Sequence, residues 1–189
     1  EALSTTDPKS QWQETVRENI REDASLSKAH LLMNALAATI ASYGLFANSP
    51  AVVIGAMIVA MLLGPIVGVS LALVDSDPKI LLKSLLSLLS GAVAVLATAF
   101  IIGIVHRDIP ITSEIMARTV PNFLDLMIAL AGGAAGAYAT VSFRLSLALV
   151  GVAIATALVP PLSSAGILLA RGEITLAFGA LELAVVNLV

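Results

Sequence analysis

From Leu31 to Val74 the chain runs 44 residues without a charged side chain. At 1.5 Å per residue, a helix of that length would reach about 66 Å, roughly two crossings of a 30 Å hydrocarbon core. The tripeptide "NSP" at 48–50 divides the run, with Ser49 placed to cap a helix and Pro50 to occupy its first position. Extended along the chain, the pattern predicts six membrane helices near 30–47, 50–74, 80–105, 122–142, 146–170 and 174–189. The "DSDPK" turn at 75–79 separates the second and third, and "SFR" at 142–144 the fourth and fifth. The connection from His106 to Asn122 is longer, and Ser113–Met116 should form a short surface helix in it.

Residues 1–28 differ in character, with six acids and four bases. Trp12, Val16 and Ile20 fall at i, i+4 and i+8, one stripe of an amphipathic helix. Glu14, Glu18 and Glu22 alternate with Arg17 and Arg21 on the other face, without the basic excess of membrane-surface helices. A solvated cytoplasmic helix packing on a neighbour or partner suits the stripe better.

Composition agrees with the pattern. Of 189 residues, 58% are hydrophobic and 12% charged, and mean hydropathy is +0.99. Soluble domains are about 25% charged, so the sequence reads as an integral membrane protein. No cysteine is present, which removes disulfide and thiolate chemistry. The acidic first residues lack the basic flank and short apolar core of a signal peptide. The chain reads as an excerpt of a longer protein. A net charge of −3 argues against a nucleic-acid partner. Lys9, Arg17, Arg21, Lys28, Lys79, Lys83 and Arg144 fall on one side of the six-helix plan, and Arg107, Arg118 and Arg171 on the other. The bias predicts a multi-pass protein of the inner (plasma) membrane with a cytoplasmic N-terminus.

Prolines inside two apolar segments need explaining, because proline in a helix interior costs about 3 kcal/mol. Gly64-Pro65 lies in the second predicted helix and Pro160-Pro161 in the fifth. Aligned at an offset of 96, Gly55–Leu71 and Gly151–Ile167 match at Gly55/Gly151, Ile58/Ile154, Leu62/Leu158 and Pro65/Pro161. Three segments separate the motifs, so the two helices would cross in opposite directions. The pattern suggests two inverted three-helix halves with Gly/Pro-broken helices 2 and 5. Matching breaks in inverted halves point to a midplane site, with Ser163 and Ser164 adding hydroxyls after the second break. Helix starts at the breaks would favour an anionic group. The competing reading is a packing kink.

Other polar residues add candidates. Asn122 and Asp125 open helix 4 as N-cap and N3, a capping pair. Asp125 could instead be an ion or proton site at the outer mouth, paired with Arg118. Glu182 lies in an apolar helix, where a carboxylate marks an ion pathway, a protonated interhelical bond or a subunit interface. Asn34 and Asn187 suit interhelical hydrogen bonds. Gly132 and Gly136 in "AGGAAGA" form a small-residue face for close helix contact. His30 and His106 are isolated, no cluster has metal-ligand spacing, and no nucleophile–base arrangement or phosphate loop is evident. No enzyme, metal or cofactor is expected.

Three blocks, "NSPAVVIGAMIVAMLLGPIVG", "ARTVPNFLDLMIALAGGAAGAYA" and "GVAIATALVPPLSSAG", together resemble the prokaryotic membrane family named domain of unknown function 389. The resemblance runs from about Arg21 to Asn187. It implies a polytopic inner-membrane domain, often joined to soluble regions, and no established activity. The family pattern implies proline at the position of Met61 and an apolar residue at that of Glu182. The functional expectation is a transporter or channel-like protein moving a small solute or ion between helices 2 and 5. The alternative is a homo-oligomeric scaffold or sensor.

Overall fold

A computed structural model describes residues 8–141 and 158–188, with side chains from 14 to 138 and from 158 to 188. Every regular element among the described residues is a helix: α1 (Pro8–Asp23), α2 (Lys28–Phe46), α3 (Pro50–Val59), α4 (Leu63–Asp75), α5 (Pro78–Val105), α6 (Ser113–Met116), α7 (Phe123–Val141), α8 (Val159–Ala170) and α9 (Ile174–Val186). The first half of the expected fifth helix, 146–157, lies outside the described residues, as do Phe143, Arg144, Gly151 and Ile154.

Local chemistry sets the boundaries. Ser27 caps α2 by accepting from the His30 amide, and Asp77 caps α5 through the Lys79 and Ile80 amides, with Pro78 in the first turn. Ser49 takes the N-cap position of α3 ahead of Pro50, but its side chain makes no capping bond. Asn48 and Ser76 adopt left-handed backbone, φ 51° and 52°, and turn the chain after α2 and α4.

Among the described residues two helices, α2 and α5, are long and apolar enough to cross a membrane. The α3–α4 pair passes the same test together but bends by 58°. Shorter apolar stretches are Phe123–Tyr138 within α7, and α8 and α9. The bend corrects the expected position of the first break. The helix stops at Val59, Ala60 is extended (φ −69°, ψ 142°), and α4 has begun before Gly64-Pro65 is reached. Pro65 is the third residue of α4, and Pro160 and Pro161 the second and third of α8. In a first turn the missing N–H has no intrahelical partner to lose, so the prolines start helices and do not interrupt them.

α8 packs lengthwise on α5 and runs in the same direction. A Cβ at Gly166 would lie 2.6 Å from the Leu96 carbonyl oxygen, and one at Gly103 2.9 Å from the Ala170 Cβ. α9 folds back on α8, α3 on α2, and α4 on the first turns of α5. Leu62 and Leu158 share one buried cluster with Ala37, Ala41 and Val95 from α2 and α5. A second cluster near the far end of α2 joins Leu45, Val53, Ala99, Ile115, Ile167 and Ala177.

α1 lies antiparallel along α4. Arg17 Nη2 donates to Asp75 Oδ1 at 2.8 Å, while at the other end the Asp23 carbonyl rests directly on Gly64, leaving no room for a side chain. Val16 and Ile20 are half-buried, and Ala24 just past the helix is 1% exposed.

Candidate functional site

The His106–Asn122 connection is pinned to the ends of the bundle. Thr112 Oγ1 donates to the Leu45 carbonyl at 2.7 Å, and Asn48 Oδ1 accepts from Ser113 Oγ at 2.9 Å and the Glu114 amide at 3.0 Å. Arg107 Nε donates to the Ala170 carbonyl and Arg171 Nη2 to the His106 carbonyl. These bonds hold α6, with Ile115 fully buried, against α2. They fix Glu114 and Arg118 at the rim of a cavity of about 400 Å³. Its walls are Pro50, Glu114, Ala117, Arg118, Asp125, Ile128, Ala129, Pro160, Pro161, Leu183 and Asn187. Small-molecule sites of this size combine apolar walls with a few placed polar groups, as here.

Four of the residues expected at a site therefore meet: Arg118, Asp125, Pro160 and Pro161. Their pairing differs from expectation. Arg118 Nη1 donates to Glu114 Oε2 at 2.8 Å and to the Glu114 carbonyl at 2.6 Å, so its partner is Glu114, one helical turn back, and not Asp125. Asp125 Oδ2 accepts from the Asn122 amide at 2.9 Å, while Asn122 Oδ1 accepts from the Leu124 and Asp125 amides at 2.8 and 3.2 Å. This reciprocal box leaves Asp125 at the cavity with one oxygen engaged. With Arg118 balanced by Glu114, the lining side chains sum to one negative charge.

The remaining candidates lie elsewhere. Gly64 and Pro65 are in the first turn of α4, with Pro65 fully buried and Gly64 under Asp23. Ser163 and Ser164 are fully buried in α8, and neither hydroxyl has a hydrogen-bond partner among the described residues. Glu182 is exposed on α9, between the exposed Phe178 and Val185 on the same ridge.

The first break is closed by a network that only half shows in the sequence. Asn34 Oδ1 accepts from the Met61 amide at 3.0 Å, supplying a partner for an N–H freed by the bend. Asn34 Nδ2 lies 3.1 Å from His30 Nε2, which is also 3.1 Å from the Ser87 carbonyl. One ring nitrogen cannot donate to the carbonyl and accept from the amide together, so it serves one of them. α5 reaches this cluster because Gly91 has no side chain; a Cβ there would lie 2.7 Å from His30 Nε2. His30 and Asn34, four apart in an apolar helix, are the available signal. The Ser87 carbonyl gives none. Glu114 is likewise legible only as the i−4 neighbour of Arg118.

Among the described residues the fold is all helix, with two helices, or three if the bent pair counts as one span, long and apolar enough to cross a membrane. Over residues 57–189 the chain matches the family described as Domain of unknown function (DUF389), and it belongs to that family. It is also 38% identical, over 175 residues, to an uncharacterized protein of Methanocaldococcus jannaschii. That match takes in 90% of this chain and 53% of the archaeal protein, so the chain spans about half the length of its relative. No solved structure matches.

Proposed function

We propose that the chain is the membrane domain of a transporter or channel-like protein, and that a small solute or ion enters it through the cavity at the start of α8. One observation carries the reading. The cavity joins the Glu114–Arg118 pair and the half-engaged carboxylate of Asp125 to the proline-started turn of α8. Six spans in inverted halves, with the N-terminus cytoplasmic in the plasma membrane, form part of the same reading. It is supported by Leu62 and Leu158, ninety-six residues apart, meeting in one core, and by α3 and α8 running in opposite directions. The solute's charge is read from the lining. Pro160 and Pro161 have no N–H, so the start of α8 offers little to an anion despite its dipole. The adjacent end of α9 carries the opposite partial charge. With Asp125 added, a cation or a neutral polar solute fits better than an anion.

Flux into liposomes tests this. Asp125→Asn retains an acceptor for the Asn122 amide, so stability should fall by about 1 kcal/mol or less. Flux should fall at least ten-fold. Unchanged flux for every cation and neutral solute that wild type passes would reject the site.

A second reading, an oligomeric scaffold without transport, draws on Glu182. A carboxylate on an apolar, lipid-facing ridge costs about 3 kcal/mol at the bilayer centre unless a partner covers it. A second copy would do so, in a closed homo-oligomer. Mass measurement in native lipid should then find an oligomer in wild type that Glu182→Lys disrupts.

A further inference from the structure

At the opposite end of the bundle, a smaller cavity of about 160 Å³ lies where the last turn of α1 meets the first turns of α5. Arg21, Lys79 and Lys83 line it, with Ala24, Ile80 and Ser84. We propose that this cavity binds the phosphate of an anionic lipid headgroup or a free phosphate ion.

Three observations converge. The first is uncompensated charge. Among the described residues, neither Arg21 nor either lysine makes an ion pair, whereas nearby Arg17 is paired with Asp75. Asp77, the nearest acid along α5, turns Oδ1 to the Lys79 and Ile80 amides as helix cap. The second is the Ser84 hydroxyl. It is completely buried, lines the cavity and has no hydrogen-bond partner among the described residues. A buried O–H left unmatched is costly, and a phosphate oxygen would accept from it. The third is position. α5 has 28 residues, about 42 Å, against a hydrocarbon core of about 30 Å. Its first turns therefore reach the headgroup layer. Leu82, Leu85 and Leu86 are exposed beside Lys83, where acyl chains of a bound lipid would lie. Basic pockets between membrane helices at this level are a recurrent way of holding acidic headgroups.

The site stands independently of the transport reading, since it uses none of the same residues. The test is lipid retention and thermal stabilisation of the whole chain in neutral detergent. Phosphatidylglycerol, phosphatidylcholine with the same acyl chains, and inorganic phosphate are the three additions. Phosphatidylglycerol should bind and phosphatidylcholine should not. If inorganic phosphate binds equally well, the site serves soluble phosphate; if it binds far more weakly, the lipid is the ligand. Each lysine near the surface is worth about five-fold, so Lys79→Gln with Lys83→Gln should weaken binding roughly 25-fold. Ser84→Ala, which leaves the apolar packing in place, should weaken it further without unfolding the chain. Equal retention of both lipids with no response to phosphate would overturn the proposal. So would wild-type affinity in the folded double-lysine variant.

Discussion

The bond between Asn34 and the Met61 amide makes a prediction that substitution at both ends can test. Asn34→Ala removes the acceptor of a backbone N–H that the 58° bend has freed, and that acceptor sits on a fully buried side chain. Leaving such a donor unpaired costs about 1–3 kcal/mol. The alanine also leaves a small cavity beside Leu62 and Gly91, which adds to the loss. Met61→Pro separates the two costs, because proline has no N–H to orphan. The backbone accepts it on the N-terminal side, since Ala60 already has ψ 142°, the extended conformation required before proline. In the Met61→Pro background, Asn34→Ala should cost about 1–3 kcal/mol less than in wild type, since the cavity contribution is common to both and cancels. The assay is a double-mutant cycle on reversible unfolding in mixed micelles. Strict additivity would refute the claim that Asn34 serves the break.

Packing and charge supply two more predictions. Gly166→Ala drives a Cβ to within 2.6–2.9 Å of Leu96, Ala99 and Phe100, two of the three contacts being backbone, so thermal unfolding should show a loss of about 1–3 kcal/mol. Gly133→Ala, with nothing within 4 Å, should cost nothing and is the control. Burial, and then the neighbouring Glu22, raise the Asp23 carboxyl above the ordinary aspartate range, so the folded chain holds this proton more tightly than the unfolded chain. The contribution to stability is therefore complete below about pH 4 and is lost as pH rises through the raised folded value. Denaturation midpoints from pH 3 to 7 should show that component in wild type, and Asp23→Asn should remove it.

Legibility in the sequence depends on whether the signal is local. The ends of α2, the start of α3 at Pro50 and the turn between α4 and α5 carry local signals, the "NSP" and "DSDPK" stretches, because caps and breakers act on adjacent residues. The Asn122–Asp125 box is legible for the same reason. The first break sits away from its expected place because a proline can start a helix as well as interrupt one. The chain bends at 60–62, and Pro65 lies in the first turn of α4. The expected Arg118–Asp125 pair loses to a nearer competitor, Glu114, four residues back in the same turn. His30 looks isolated in the sequence because one of its partners is a backbone carbonyl 57 residues away. The basic cavity joins Arg21 to lysines 58 and 62 residues later, and only the docking of α1 brings them together.

The chain has no cysteine, which permits a direct test of whether solute passes through the cavity at the start of α8. A single Ala129→Cys substitution places one thiol in its wall. Flux into liposomes is measured before and after a water-soluble, membrane-impermeant thiol reagent, with the extent of labelling read by mass. Labelling should go to completion from the outer side and abolish most of the flux. Complete labelling with undiminished flux would contradict it.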